Sequence, residues 1–177
     1  MSYSGGPILL SSQREGQVSR FSAWVMLAVP LAAILFQVYV PLFFQFLSFL
    51  EMPLLVVVYF ALMRRSQVGG LLVGAVVGLA QDSLSKNPLG MLGIVNTLVG
   101  YFAASVGLRL DVDHPLIRLL LTFFFFLFHQ FFYWLMVRAL LGQPLAFEVQ
   151  RTLVLGLLNA VVGISLFHFL DRLRKAS

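Results

Sequence analysis

Apolar residues run through this chain in six blocks, at 22–40, 42–63, 66–84, 88–108, 115–140 and 148–170, separated by short polar breaks. A helix needs about 20 apolar residues to cross a hydrocarbon core of about 30 Å, and each block reaches or approaches that length. The pattern predicts an all-α, polytopic membrane protein with six transmembrane helices. The breaks are short enough that successive helices should be antiparallel neighbours. The second block is interrupted by Glu51-Met52-Pro53. There Pro53 either kinks one long helix or opens a shorter one from a first-turn position. In the second case residues 43–50 would lie along the outer interface as a short amphipathic or re-entrant piece.

Composition narrows the class. Hydrophobic residues make up 60% and charged residues 11% of 177 positions, against about 25% charged in soluble domains. Six crossings use up the length, so the chain divides into a polar tail (1–20), one membrane domain (21–171) and a basic tail (172–177). No small-residue cleavage pattern follows the first block, so it is expected to be a retained helix and not a removed signal peptide. The chain has no cysteine, which excludes disulfides and thiolate chemistry.

The net charge of +5 would suggest nucleic acid in a soluble protein. Here it follows from loop placement, and no nucleic acid is expected. With the N-terminus inside, the cytoplasmic side carries nine basic residues: Arg14, Arg20, Arg64, Arg65, Arg109, Arg118, Arg172, Arg174 and Lys175. The outer side carries three, Lys86, Arg138 and Arg151. This asymmetry predicts that both termini lie on the cytoplasmic side of an inner membrane.

Small and polar residues then mark the candidate seams. Gly70, Gly74, Gly78 and Asp82 recur every fourth position of the third block, which makes a smooth groove on a helix. Small residues let helix backbones approach closely in lipid. The groove would dock a partner's transmembrane helix, or pack within the bundle. Asp82, an acid within a span, is either an interfacial cap paired with Lys86 or a polar anchor joining the outer ends of helices 3 and 4. Asn87 and Pro88 read as N-cap and first residue of the fourth helix, with Gly90 in the same turn. Along that helix Gly93, Gly100 and Gly107 recur every seven residues, with Asn96, Thr97 and Tyr101 among them. Asn96, Asn159, His129 and Gln130 fall at similar depth. Lone amides are costly in hydrocarbon, so a hydrogen-bonded knot joining helices 4, 5 and 6 is expected. The Phe-rich stretch from Phe123 to Phe132 should mostly face lipid.

Chemistry is thinly represented. The three histidines sit on separate elements with no i,i+4 pair, a spacing that suits no metal site. Neither a phosphate loop nor a catalytic triad is visible. Neither enzymatic activity nor a cofactor is expected.

The third and fourth blocks carry a resemblance. Gly70-Leu-Leu-Val-Gly-Ala-Val-Val-Gly-Leu-Ala-Gln-Asp82, then Ser-Leu-Ser-Lys-Asn-Pro-Leu-Gly90, then Leu98-Val-Gly-Tyr101 resemble the rod shape-determining protein MreD family. Pro53 opening an apolar run, the Ala61-Leu62-Met63-Arg64-Arg65 exit and the basic C-terminal end agree in character. The resemblance implies a non-enzymatic scaffold of the cell-elongation complex that supports peptidoglycan synthesis and rod shape. Its implied partners are MreC directly, and through it the transpeptidase penicillin-binding protein 2, RodA and MreB. It also implies a six-helix fold shared with the substrate-binding components of energy-coupling-factor transporters. One departure is that family members often carry an acid after the proline of the second span, where this chain has Glu51 before Pro53 and Leu54 after it. The alternative function is a vitamin-type substrate-binding component of such a transporter. Ala28 and Ala32 would then face its coupling subunit, and an outer pocket would be lined by Gln37, Gln81, Asp82 and Arg138.

Overall fold

The structure, a computed structural model, describes residues 21–85, 88, 90–142, 144 and 146–173. Among these residues six α-helices follow one another: α1 Ala23–Tyr39, α2 Met52–Arg64, α3 Gln67–Leu84, α4 Met91–Gly107, α5 Pro115–Leu141 and α6 Val149–Asp171. Two 3-10 turns, Val40–Leu42 and Gln45–Phe49, connect α1 to α2. By length and composition five described stretches can cross a membrane: Ala23–Leu42, Gln45–Arg64, Gln67–Leu84, Pro115–Leu141 and Val149–Asp171. The apolar helix Met91–Gly107 is shorter, at 17 residues. The expectations for 1–20, Lys86, Asn87, Arg174 and Lys175 lie outside the described residues.

The second block takes the shorter of its two forms. Pro53 sits in the first turn of α2, where a missing N–H costs nothing because the first helical N–H groups lack intrahelical acceptors. Before it the chain runs as a 3-10 turn with Phe43, Phe44 and Phe46 exposed. Every residue of α2 from Pro53 to Met63 is buried, and α2 packs against all five other helices. A helix apolar on all sides belongs in the interior, and α2 is the axis of the bundle. The outer helices expose Trp24, Leu27, Leu72, Val76, Val154 and Leu157 among others, a surface suited to lipid.

The glycine row of α3 packs within the bundle, the second of its two readings. An ideal Cβ at Gly70 would lie 2.3 Å from Gly100 O, at Gly74 2.0 Å from Asn96 O, and at Gly78 2.3 Å from Leu92 O. The groove is already filled by the backbone of α4, so Gly70, Gly74 and Gly78 form an internal seam and are closed to a partner's helix. The heptad glycines of α4 complete the packing, with Gly100 against Gly70 O and Gly107 against Leu62 O.

Two other expectations are corrected. Helix α4 begins at Met91, and Pro88 precedes it instead of occupying its first position. Gly90 stands between them at φ +95°, a backbone conformation that glycine adopts without steric penalty and that stops the helix from extending backward. On α5, Phe125 and Phe126 are fully buried, whereas Phe124 and Phe131 are exposed. The aromatic run therefore divides between core and lipid faces, because a helix turns about 100° per residue.

Candidate functional site

Two buried polar side chains, Asp82 and Asn159, sit beside breaks in helical backbone. Asp82, at the end of α3, is almost fully buried. Its Oδ2 accepts the N–H groups of Gly90 (2.9 Å) and Gly93 (3.0 Å), and its Oδ1 accepts that of Leu92 (3.2 Å). The first N–H groups of any helix lack intrahelical acceptors and carry the positive end of its dipole. A carboxylate from the preceding helix answers both needs. The anchor between helices 3 and 4 is formed, whereas the pairing with Lys86 lies outside the described residues.

Asn159 of α6 does the same for the break ahead of α2. Its Oδ1 accepts the Glu51 N–H at 2.8 Å, and its Nδ2 donates to Phe49 O at 2.8 Å and to Leu155 O at 2.9 Å. Gln37 of α1 accepts the Met52 N–H at 3.2 Å. Non-helical backbone at membrane depth is tolerated where protein groups satisfy it, and these two side chains do so. The expected knot of helices 4, 5 and 6 is not what forms. Asn96 donates to Gln81 of α3 at 3.5 Å, Asn159 serves the α1–α2 connection, and no described hydrogen bond joins the two. Tyr101 joins neither cluster; it is exposed, with its ring edge-on to Phe102.

Between these two anchors lies a chamber of about 270 Å³, lined by Gln37, Glu51, Gln81, Ser85, Leu92, His129, Gln130 and Tyr133. All are buried or half-buried. A second cavity of about 330 Å³ shares Glu51, Gln130 and Tyr133 with it. This vestibule continues past Phe49, Trp134 and Phe147 to the exposed Ser48, Glu148 and Arg151. The half-buried Glu51 carboxyl makes no hydrogen bond to a described residue, and the buried His129 Nδ1 has no partner among them. Of the outer-pocket residues expected from sequence, Gln37 and Gln81 line the chamber. Asp82 instead faces the start of α4, and Arg138 lies over the Trp134 ring at 5.6 Å. Both are absent from the lining.

At the opposite end of the bundle, Arg118 is buried and joins three elements. It pairs with Asp171 of α6 and with Asp113 (3.4 Å), and its Nε donates to Val112 O at 2.6 Å. Tyr59 of α2 donates to the same Asp171 at 2.9 Å.

A family model described as rod shape-determining protein MreD matches residues 19–175. The chain belongs to the MreD family. No curated protein and no solved structure matches it. As a MreD-family chain with several apolar helices long enough to span, it is a multi-pass membrane protein of a family that determines cell shape.

Sequence reasoning found two of the MreD-family chain's anchors, Asp82 and Asn159, because a polar residue inside an apolar run is conspicuous. It placed Glu51 only as an interruption, and it gave Arg118 a loop charge. Glu51, His129, Gln130 and Tyr133 come from two elements far apart in sequence, and only packing brings them to one cavity. The one available signal was that Gln37, Glu51, Gln81 and His129 all sit inside apolar blocks, where a polar side chain needs a reason to be.

Proposed function

We propose that this chain is a non-enzymatic membrane scaffold of the bacterial cell-elongation complex. It binds MreC, and through MreC it supports the peptidoglycan synthesis carried out by penicillin-binding protein 2 and RodA along MreB filaments. The observation that carries this reading is the family match over residues 19–175. Six inner-membrane crossings with both termini cytoplasmic accompany it, supported by the basic residues gathered at one set of loops. The α3–α4 seam is closed, so the surface offered to MreC lies elsewhere on the bundle. One accessible face is the apolar cleft of about 630 Å³ between α1 and α3, lined by Met26, Leu27, Pro30, Leu31, Val73 and Val76. Affinity capture of the tagged chain from its native membranes is expected to retain MreC. Capture of the correctly inserted chain without MreC would remove direct binding from the proposal.

A further inference from the structure

The inner chamber is built around one acidic side chain that the fold holds in place and leaves unanswered. Glu51 occupies the junction between the 3-10 turn and α2. Its own N–H is tied to Asn159 and the next N–H to Gln37, from two different helices. The backbone that carries the carboxyl is therefore pinned on both sides, while the carboxyl itself bonds to no described residue. His129 lines the same chamber, is 3% exposed, and has an Nδ1 without a partner. Buried polar atoms in folded proteins are overwhelmingly paired, and a half-satisfied cluster is less stable than an apolar one. A buried nitrogen without a partner and a half-buried carboxyl facing the same cavity point to a guest that completes them.

The lining states what that guest must be. No lysine or arginine occurs among the described residues of the inner chamber, so its fixed charge is acidic. The one arginine of the vestibule, Arg151, is paired with Glu148 at 3.6 Å and lies over the Phe49 ring at 5.9 Å. A half-buried carboxylate is the less stable for lacking a counter-charge. Phe49, Tyr133, Trp134 and Phe147 line the way in, and aromatic faces attract cations. Among the described residues no group of three His, Cys, Asp or Glu side chains is placed to hold a metal ion. A chamber of about 270 Å³ instead suits a small molecule or headgroup. A protonated primary amine has three N–H donors, and Glu51, His129 Nδ1, Gln130 and Tyr133 offer acceptors for them.

We infer that the chamber closed by Glu51 and His129 is a binding site for a primary ammonium group, carried by a free small amine or by an aminophospholipid headgroup. This goes beyond the scaffold reading, because a scaffold that only packs needs no such chamber.

The test uses the full-length chain, purified and delipidated in detergent, with ethanolamine as probe and choline as control. Choline keeps the charge but has no N–H to donate. The chain is also placed in nanodiscs of phosphatidylcholine with and without phosphatidylethanolamine. Thermal unfolding is read in each case, together with tryptophan fluorescence in a Trp24→Phe background that leaves Trp134 as the reporter. A response to ethanolamine and not to choline supports the site and assigns it to a free amine. A response only to phosphatidylethanolamine supports the site and assigns it to the headgroup. Glu51→Gln keeps the shape and should weaken either response by about tenfold or more. If that variant does not fold, Gln130→Leu should weaken it by about threefold or more. No response to either amine, an equal response to choline, or an undiminished response in a folded variant overturns the site and leaves a water-filled chamber. MreC capture is scored separately, so failure here and failure of the scaffold reading are distinguishable.

Discussion

Asp82 shows how one side chain can hold two helices at a set distance. It takes three N–H groups from the start of α4, and a buried N–H left without an acceptor costs about 1–3 kcal/mol. Asp82→Asn keeps the size but offers one acceptor oxygen and turns an amide donor toward other donors. It is expected to lower stability by about 1–3 kcal/mol, read as an earlier loss of the monodisperse peak on heating before size-exclusion. An unchanged transition would remove Asp82 as the anchor. At this scale the sequence was informative about identity and silent about partners. An acid within an apolar run announces that it has a task, and the three N–H groups that define the task became visible only with the turn of Gly90.

Helices meet where glycine permits it, and α3 with α4 is the clearest case. Backbone carbonyls of α4 occupy the space that a side chain at Gly74 or Gly78 would need. Gly74→Ala is therefore expected to force the pair apart, at about 1–3 kcal/mol for overpacking. At Gly69 a Cβ would meet side chains and no backbone, Ser66 Oγ at 3.2 Å and Arg64 at 3.8 Å, and its own alanine variant should lose less than Gly74→Ala. Thermal unfolding of the two variants side by side checks this, and equal losses would contradict a seam specific to Gly74. The four-residue spacing of the glycines was legible as a groove, but spacing does not say what fills it. The same ambiguity applied to α2. Its apolar character on every face fits lipid or protein equally, and its place at the bundle axis follows from contacts with the other five helices.

Across the whole molecule, the two ends are closed by different means. One end depends on Asp82 and Asn159 satisfying broken backbone. The other depends on Arg118, which ties α5 to α6, and on Tyr59 of α2 bonded to the same Asp171. Breaking a fully buried ion pair costs about 3–5 kcal/mol. The Asp171 side chain is 28% exposed, so solvent screening lowers the expected loss for Arg118→Met to about 1–3 kcal/mol. Arg118→Met with Asp171→Asn should recover part of it, because the half-buried carboxylate is then gone and the remaining one, Asp113, is exposed to solvent. Unfolding midpoints of the single and double variants decide the point. A double variant no better than the single would mean that Arg118 acts through packing alone.

The sequence by itself determined the all-α membrane class, the approximate places of the helices and the family, because hydrophobic length, proline and the Gly/Asp/Pro-Leu-Gly block are local properties of the chain. Tertiary structure decided that the glycine row is sealed, that Asn159 serves the α1–α2 break, that Phe125 and Phe126 face inward, and that Glu51 shares a chamber with His129. Lipid and protein interior are equally apolar, so composition cannot tell one face of a membrane helix from another. Only the packed arrangement shows which residues share a cavity.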